Sequence, residues 1–253
     1  MIVRSFLAAL LLLSVLPSPA QASGAESEIS HQHWHFSGPF GTFDRGALQR
    51  GYKIYREVCA SCHSMNRVAF RNLEDLGYDE NQIKAIAAEY TFTDGPNDEG
   101  DMFDRAGRPS DYFKPPFAND KAAQYANGGA LPPDLSLIAK ARHGGADYIY
   151  SILTGYEEPP AGTTLASTQH WNKAMPGHVI AMAPPLTADA IVYEDGTPQT
   201  VEQYSKDVAE FLTWAAEPHM ETRKRTGLKV ILFLAVFAGM MYAYKRKIWS
   251  AIH

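Results

Sequence analysis

The sequence predicts a mainly α-helical body with long loop insertions, exported from the cytoplasm and followed by one C-terminal membrane-spanning helix. Three observations carry this prediction. Apolar residues recur at helical spacing in several segments. Long stretches punctuated by Pro, Gly and Asn separate them. Near the end, an apolar run with basic flanks stands apart from an acidic body.

Residues 1–22 read as an export signal. Arg4 is the charged start, Phe6 to Leu16 the apolar core, and Ala20-Gln21-Ala22 a small-x-small cleavage site. The signal is neither Arg-rich nor amphipathic, which makes it bacterial in style. Residues 23–36 are polar, and the alternating His31, His33 and His35 read as a loosely ordered, solvated arm rather than a metal site. The first helix spans 44–59: Leu48, Tyr52, Tyr55 and Cys59 share one face, and Asp44 or Thr42 can cap its start. A second helix is predicted over 80–89, with Ile83, Ile86 and Ala87 inward.

The stretch from Asp94 to Asp104, taken with Glu89, carries six acids and no base. Gly95-Pro96 and Gly100 argue against a regular element, so it reads as a solvated loop. Asp94, Asp98, Glu99, Asp101 and Asp104 form a candidate docking patch for a cationic partner. Residues 105–133 read as ordered loop with little strand. Short helices are expected over 135–141 and 146–154, with mostly loop over 155–200. The last soluble helix begins after Thr200, where Gln203 completes the pattern of a capping box. Val201, Tyr204, Val208, Phe211, Leu212 and Ala215 form its inner stripe, and Pro218 follows its end.

Leu228 to Tyr244 is apolar except for Lys229. Val230–Tyr244 alone gives roughly 22 Å of helix, short of a hydrocarbon core of about 30 Å. A buried core helix is the alternative, and the flanks argue against it. Arg223, Lys224, Arg225 and Lys229 lie on one side, and Lys245, Arg246 and Lys247 on the other. Their stems can snorkel and lengthen the span, while Tyr242, Tyr244 and Trp249 suit the interface. Basic residues on both flanks say little about topology. The export signal therefore sets the orientation: body in the periplasm, C-terminus in the cytoplasm, anchor in the inner membrane. The predicted division is signal 1–22, soluble body 23–221, and anchor with tail 222–253.

The net charge of −5 hides an asymmetry. Residues 222–253 hold seven Lys or Arg and no acid, so residues 23–221 hold 15 bases against 28 acids. Such a body repels nucleic-acid phosphates and suits a cationic protein partner.

The two cysteines both lie in Cys59-Ala-Ser-Cys62-His63. An exported chain with no others has no disulfide framework. Cys-x-x-Cys-His is the attachment signature of c-type haem: two thiols add to the macrocycle's vinyl groups and the adjacent imidazole ligates the iron. The rival is a thioredoxin-like dithiol, but that motif opens a helix after a strand, whereas this one closes a helix with no βαβ pattern after it. For the sixth iron position a methionine thioether raises the potential and favours electron transfer. Met65 is too near His63 in sequence, Met102 lies in the acidic loop, and Met220, Met240 and Met241 belong to the stalk or membrane. Met175 and Met182 remain, Met182 in the more apolar context. His143 or His178 would instead give a bis-imidazole haem.

Beyond this motif the chain resembles the cytochrome c1 family, the haem subunits of cytochrome bc1 complexes. The resemblance runs through Gly38-Pro-Phe-Gly-Thr-Phe-Asp-Arg45, Cys59-Ala-Ser-Cys-His-Ser-Met65, Asp94 to Phe103, Gly129-Ala-Leu-Pro-Pro-Asp-Leu-Ser136, Ala141-Arg-His-Gly-Gly145 and Leu153-Thr-Gly-Tyr156. It closes with Ala181-Met-Ala-Pro-Pro-Leu186, Trp214-Ala-Ala-Glu-Pro218 and Arg223-Lys-Arg-x-Gly227. It implies a class I cytochrome c-like haem domain whose first and last helices cross. It implies Met182 as the axial thioether, Arg142 as a propionate partner, Tyr148 and Asn127 as propionate neighbours, and Pro132-Pro133 along the haem wall. A bidentate guanidinium suits a buried carboxylate, which supports Arg142 independently. Some bacterial relatives carry an extra disulfide near the haem, for which this chain has no cysteine.

By this resemblance the expected role is single-electron transfer from a Rieske iron–sulfur protein to a soluble cytochrome c. Cytochrome b is the other core partner, membrane lipid surrounds the anchor, and the chain has no bond-making chemistry of its own. Two other readings remain at this point: an independent tethered cytochrome c, and a haem enzyme or gas sensor with a labile sixth ligand.

Overall fold

A computed structural model describes residues 27–250, and the predicted export signal lies outside the described residues. Helix α1 spans Arg45–Glu57, opened by Asp44, whose carboxylate accepts from the Gly46 and Ala47 amides. Asp44 rather than Thr42 is therefore the cap. The predicted stripe is buried at Leu48, Tyr52 and Tyr55. The helix stops two residues early, and a 3₁₀ turn over Cys59–Ser61 begins the cysteine motif. A second 3₁₀ segment, Phe70–Leu76, leads to α2, Glu80–Ala88.

Strands β1, Thr91–Asp94, and β2, Phe103–Ala106, pair antiparallel with Asp94 opposite Phe103. This corrects the reading of 94–104 as loop throughout: the glycine and proline signals are real but confined to the tip, 95–102. Helix α3, Asp120–Ala126, capped by Asn119, interrupts the predicted loop over 105–133. Helices α4, Ile138–Ala141, and α5, Ala146–Thr154, follow. The two-residue strands β3, His170–Trp171, and β4, Val179–Ile180, pair within the long second loop.

Helix α6, Val201–Ala216, crosses α1. The crossing is close at Gly51, where an added Cβ would stand 2.2 Å from the Asp207 carbonyl oxygen, so glycine is what lets the two backbones approach. Around it Phe211 packs on Tyr52 and Tyr55, at ring centroid distances of 5.8 Å. Crossed terminal helices over an aromatic core give the class I-like architecture expected. Helix α6 is buried beyond its predicted stripe, however, because it also carries the buried acids Asp207 and Glu210. Arg50 grips Asp207 through Nε (2.9 Å) and Nη2 (3.1 Å), while Tyr193 Oη and Gln203 Nε2 donate to the same carboxylate. Gln203 is thus drawn away from the cap. Thr200 accepts from the Gln203 amide, and the return half of the predicted box is absent.

The N-terminal segment is not a loose arm. Asp147, in the first turn of α5, accepts from the Gln32 amide, His31 Nδ1 and Trp34 Nε1, and the Ser30 amide donates to Ser151. A short carboxylate at a helix start collects these donors, and sequence spacing does not reveal such partners. Helix α7 runs unbroken from Met220 to Trp249; Met220 is buried in the core, and the apolar residues of the run from Leu228 onward are exposed. By length and composition it is the one candidate membrane span among the described residues. At its start Glu221 accepts from the Phe43 amide and Arg45, and Lys224 donates to the Phe36 and Gly41 carbonyls. These bonds fix the helix to the entry of α1.

Candidate haem-attachment site

The site begins where α1 unwinds. The amides of Cys62 and His63 both donate to the Cys59 carbonyl, at 3.1 and 2.9 Å. One tightened turn thus gathers both thiols and the imidazole. Both cysteines are free and half-buried. Burial pushes the Cys59 thiol up to about 12, so it is a neutral thiol, unlike the depressed thiols of dithiol oxidoreductases. A cavity of 280 Å³ reaches the motif at Ala60, the residue that follows Cys59, and its walls include Tyr55, Phe70, Tyr90 and Phe113.

His63 donates from Nδ1 to the Pro133 carbonyl at 2.8 Å. Burial lowers its pKa, only partly opposed by this bond and by Asp134. The imidazole is therefore held neutral, protonated on Nδ1, with the Nε2 lone pair free to bind a metal. Free thiols, a fixed tautomer and an apolar wall fit a covalently attached haem.

Pro133 has a different visible part from the wall residue expected: its carbonyl orients the imidazole. The segment behind it belongs to the Gly129–Ser136 stretch of the resemblance, but the sequence assigns Asp134 no role. Asp134 Oδ2 accepts from Ser64 Oγ and the Asn66 amide, both at 2.8 Å, and Oδ1 accepts from the Ser136 amide at 2.9 Å. Burial acts to raise the pKa of Asp134, but the Ser136, Asn66 and Ser64 bonds outweigh it and hold the carboxyl below its usual range. No sequence spacing signals partners about 70 residues away.

The other expected residues sit as follows. Met182 is half-buried, and Tyr156 Oη donates to its carbonyl at 3.0 Å. Met175 is engaged through its sulfur, which faces Tyr148 Oη at 3.9 Å. His143 is exposed, and His178 packs its ring on Trp171. Arg142 is exposed and hydrogen-bonds only its neighbour's carbonyl among the described residues, leaving a cation without a carboxylate. Asn127 ends α3, with its side-chain amide on the Ala123 carbonyl.

In the acidic hairpin the five acids are not equivalent. Asp94 is bound by Arg105, which also grips Asp111 through two nitrogens. Arg105 holds the carboxyls of both below their usual range. Asp104 accepts from Thr93 Oγ1. Asp98, Glu99 and Asp101 stand exposed at the tip.

The sequence model of the Cytochrome C1 family matches residues 34–252. The cytochrome c1 of Rhodospirillum rubrum is 47% identical over 267 residues, covering 99% of this chain and 98% of that protein. The mitochondrial cytochrome c1 heme protein of Saccharomyces cerevisiae is 48% identical, covering 87% of this chain and 71% of that one. A cytochrome b/c1 of Bradyrhizobium diazoefficiens is 50% identical over 92% of this chain, which spans 37% of that longer protein.

Proposed function

The chain belongs to the cytochrome c1 family, the electron-transfer subunits that carry covalent haem c within the bc1 complex, and from that premise we propose how its own residues serve that role. Bound haem c supplies one-electron exchange between Fe(III) and Fe(II). Cys59 and Cys62 tether the macrocycle as thioethers, and His63 offers Nε2 to the iron. Met182 would supply the thioether to the iron: its backbone is held by Tyr156 while its sulfur has no hydrogen-bond partner among the described residues, whereas the Met175 sulfur already faces Tyr148. Arg142 neutralises a propionate, with Tyr148 and Asn127 beside it. Held by His63 and Met182 together, the group would leave no position to exogenous ligands and would supply electron exchange alone.

The observation that carries this reading is the His63–Pro133 bond, which commits Nδ1 and leaves Nε2 for a metal in the same turn as two uncrosslinked thiols. The chain is arranged as a signal over 1–22, an exported haem body over 23–221 and an anchor over 222–253 with its C-terminus in the cytoplasm. The donor is a Rieske iron–sulfur protein, the acceptor a soluble cytochrome c, and cytochrome b the neighbour of α7 in the lipid. The acidic hairpin steers the acceptor. Asp98, Glu99 and Asp101 carry its charge at the tip, and Asp104, exposed beside Thr93, adds to them, whereas Asp94 shares the Arg105 cation with Asp111. Gentle detergent extraction tests the reading. Co-purification with cytochrome b and an iron–sulfur protein, with a c-type reduced-minus-oxidised spectrum, is expected. A haem protein that purifies alone contradicts it.

A further inference from the structure

The axial imidazole takes its orientation from a carbonyl, and that carbonyl belongs to a proline, which has no amide N–H to anchor its own peptide. Something else must hold residue 133 in place. Across the seam between 63–67 and 133–136, the Leu135 amide donates to the Ser64 carbonyl at 2.9 Å and the Arg67 amide to Ser136 Oγ at 3.0 Å. Between these two bonds sits Asp134, receiving Ser64 and Asn66 on one oxygen and Ser136 on the other. One carboxylate thus spans both strands of the seam immediately after Pro133 and immediately beyond His63.

We propose that Asp134 is the positioning residue for the axial ligand: its carboxylate staples the two segments in the register that keeps the Pro133 carbonyl on His63 Nδ1. Charge-assisted bonds to a carboxylate are shorter and stronger than neutral ones, and groups behind a metal-bound histidine set its ring orientation and basicity. A firmly held Nδ1–H makes Nε2 a better donor and favours Fe(III). A loosened seam therefore raises the midpoint potential. The inference rests on His63 being the axial ligand as read above.

The test is redox titration of the detergent-extracted complex carrying Asp134→Asn, and separately the double variant Ser64→Ala/Ser136→Ala. The double variant keeps the carboxylate charge while removing the Ser64 hydroxyl that donates to it and the Ser136 hydroxyl that accepts from the Arg67 amide across the seam. Asp134→Asn is expected to raise the reduced-to-oxidised haem ratio at fixed ambient potential by about tenfold, or ~59 mV for a one-electron couple. The double variant is expected to move it in the same direction by about threefold. Neither variant is expected to bind carbon monoxide. An unchanged potential with haem attached overturns the proposal. So does a shift in Asp134→Asn alone, which identifies a charge effect without positioning. If Asp134→Asn fails to accumulate, the double variant decides by itself. A wild-type chain with no attached haem sinks the underlying reading instead.

Discussion

Tyr55 and Cys59 are one helical turn apart, yet the regions they belong to are held by different physics. On the Tyr55 side, α1 meets α6 through fully buried aromatic rings and one buried ion pair. On the Cys59 side, the ligand-bearing turn meets residues 133–136 through hydrogen bonds, with half-buried side chains and a single carboxylate at the hub. The core makes the protein stable, whereas the seam makes one imidazole nitrogen face one way. Substitutions should therefore separate the two: core changes should cost stability, and site changes should alter ligand chemistry.

The largest expected effect on stability is in the core. Phe211, fully buried between Tyr52, Tyr55 and Trp214, loses packing on all sides as alanine. Phe211→Ala should destabilise by about 3–5 kcal/mol in denaturant unfolding while leaving the reduced spectrum of the folded fraction unchanged. Asp207→Ala should cost less, about 1–3 kcal/mol, because it leaves the buried Tyr193 hydroxyl without its acceptor and removes one of the two carboxylates on Arg50, which keeps Asp195.

Met182→Leu inverts the pattern. A half-buried, nearly volume-conserving exchange should cost under about 1.5 kcal/mol. It should also let the reduced protein bind carbon monoxide at neutral pH and lower its potential. Met175→Leu should do neither. Carbon monoxide binding by the Met175 variant and not by the Met182 variant would reassign the ligand.

At the hairpin, neutralising Asp98, Glu99 and Asp101 together should change stability by less than about 0.5 kcal/mol. It should slow reduction of a basic cytochrome c about tenfold at low ionic strength, with the difference vanishing in high salt. Asp94→Asn should instead loosen the hairpin, because it weakens one of the two carboxylate contacts that hold Arg105. Equal kinetic effects from Asp94 and the tip would contradict the distinction.

The smallest effect concerns Glu210. Burial raises its pKa against the opposing Asp44 amide bond and nearby His35, while the Asp44 and Asp207 carboxylates add to the rise. A raised acid stabilises the fold in its protonated form. That contribution is complete below the ordinary value of 4.5 and is lost as pH climbs through the folded value. Glu210→Gln, whose amide oxygen can still accept from Asp44, should therefore be the more stable protein at neutral pH and should lose that advantage toward pH 4. A constant difference across that range would show that Glu210 does not titrate as described.

The same division explains what the sequence reveals. Leu48, Tyr52 and Tyr55 repeat with the helix, so α1 and its inward face are legible, as are α5 and the stripe on α6. Cys59-Ala-Ser-Cys62-His63 is legible because its spacing is itself the chemistry. Asp134 is not, because its partners Ser64 and Asn66 lie in another segment and leave no period. Asp147 hides for the same reason, so the 27–34 segment reads as loose when it is tied down. In the hairpin, Gly95-Pro96 and Gly100 describe the tip correctly but mask the strands that carry it. Asp207 hides for yet another reason, since a buried acid on a helix looks like a solvent-facing one until Arg50 is seen beside it.

The central claim is that one haem is joined through the two thiols beside His63. Intact-mass measurement of the purified chain, followed by peptide mapping, tests it most directly. The account predicts one haem added to the peptide containing Cys59, Cys62 and His63, with neither thiol open to alkylation. A chain without the added group, or with both cysteines alkylated, would contradict it.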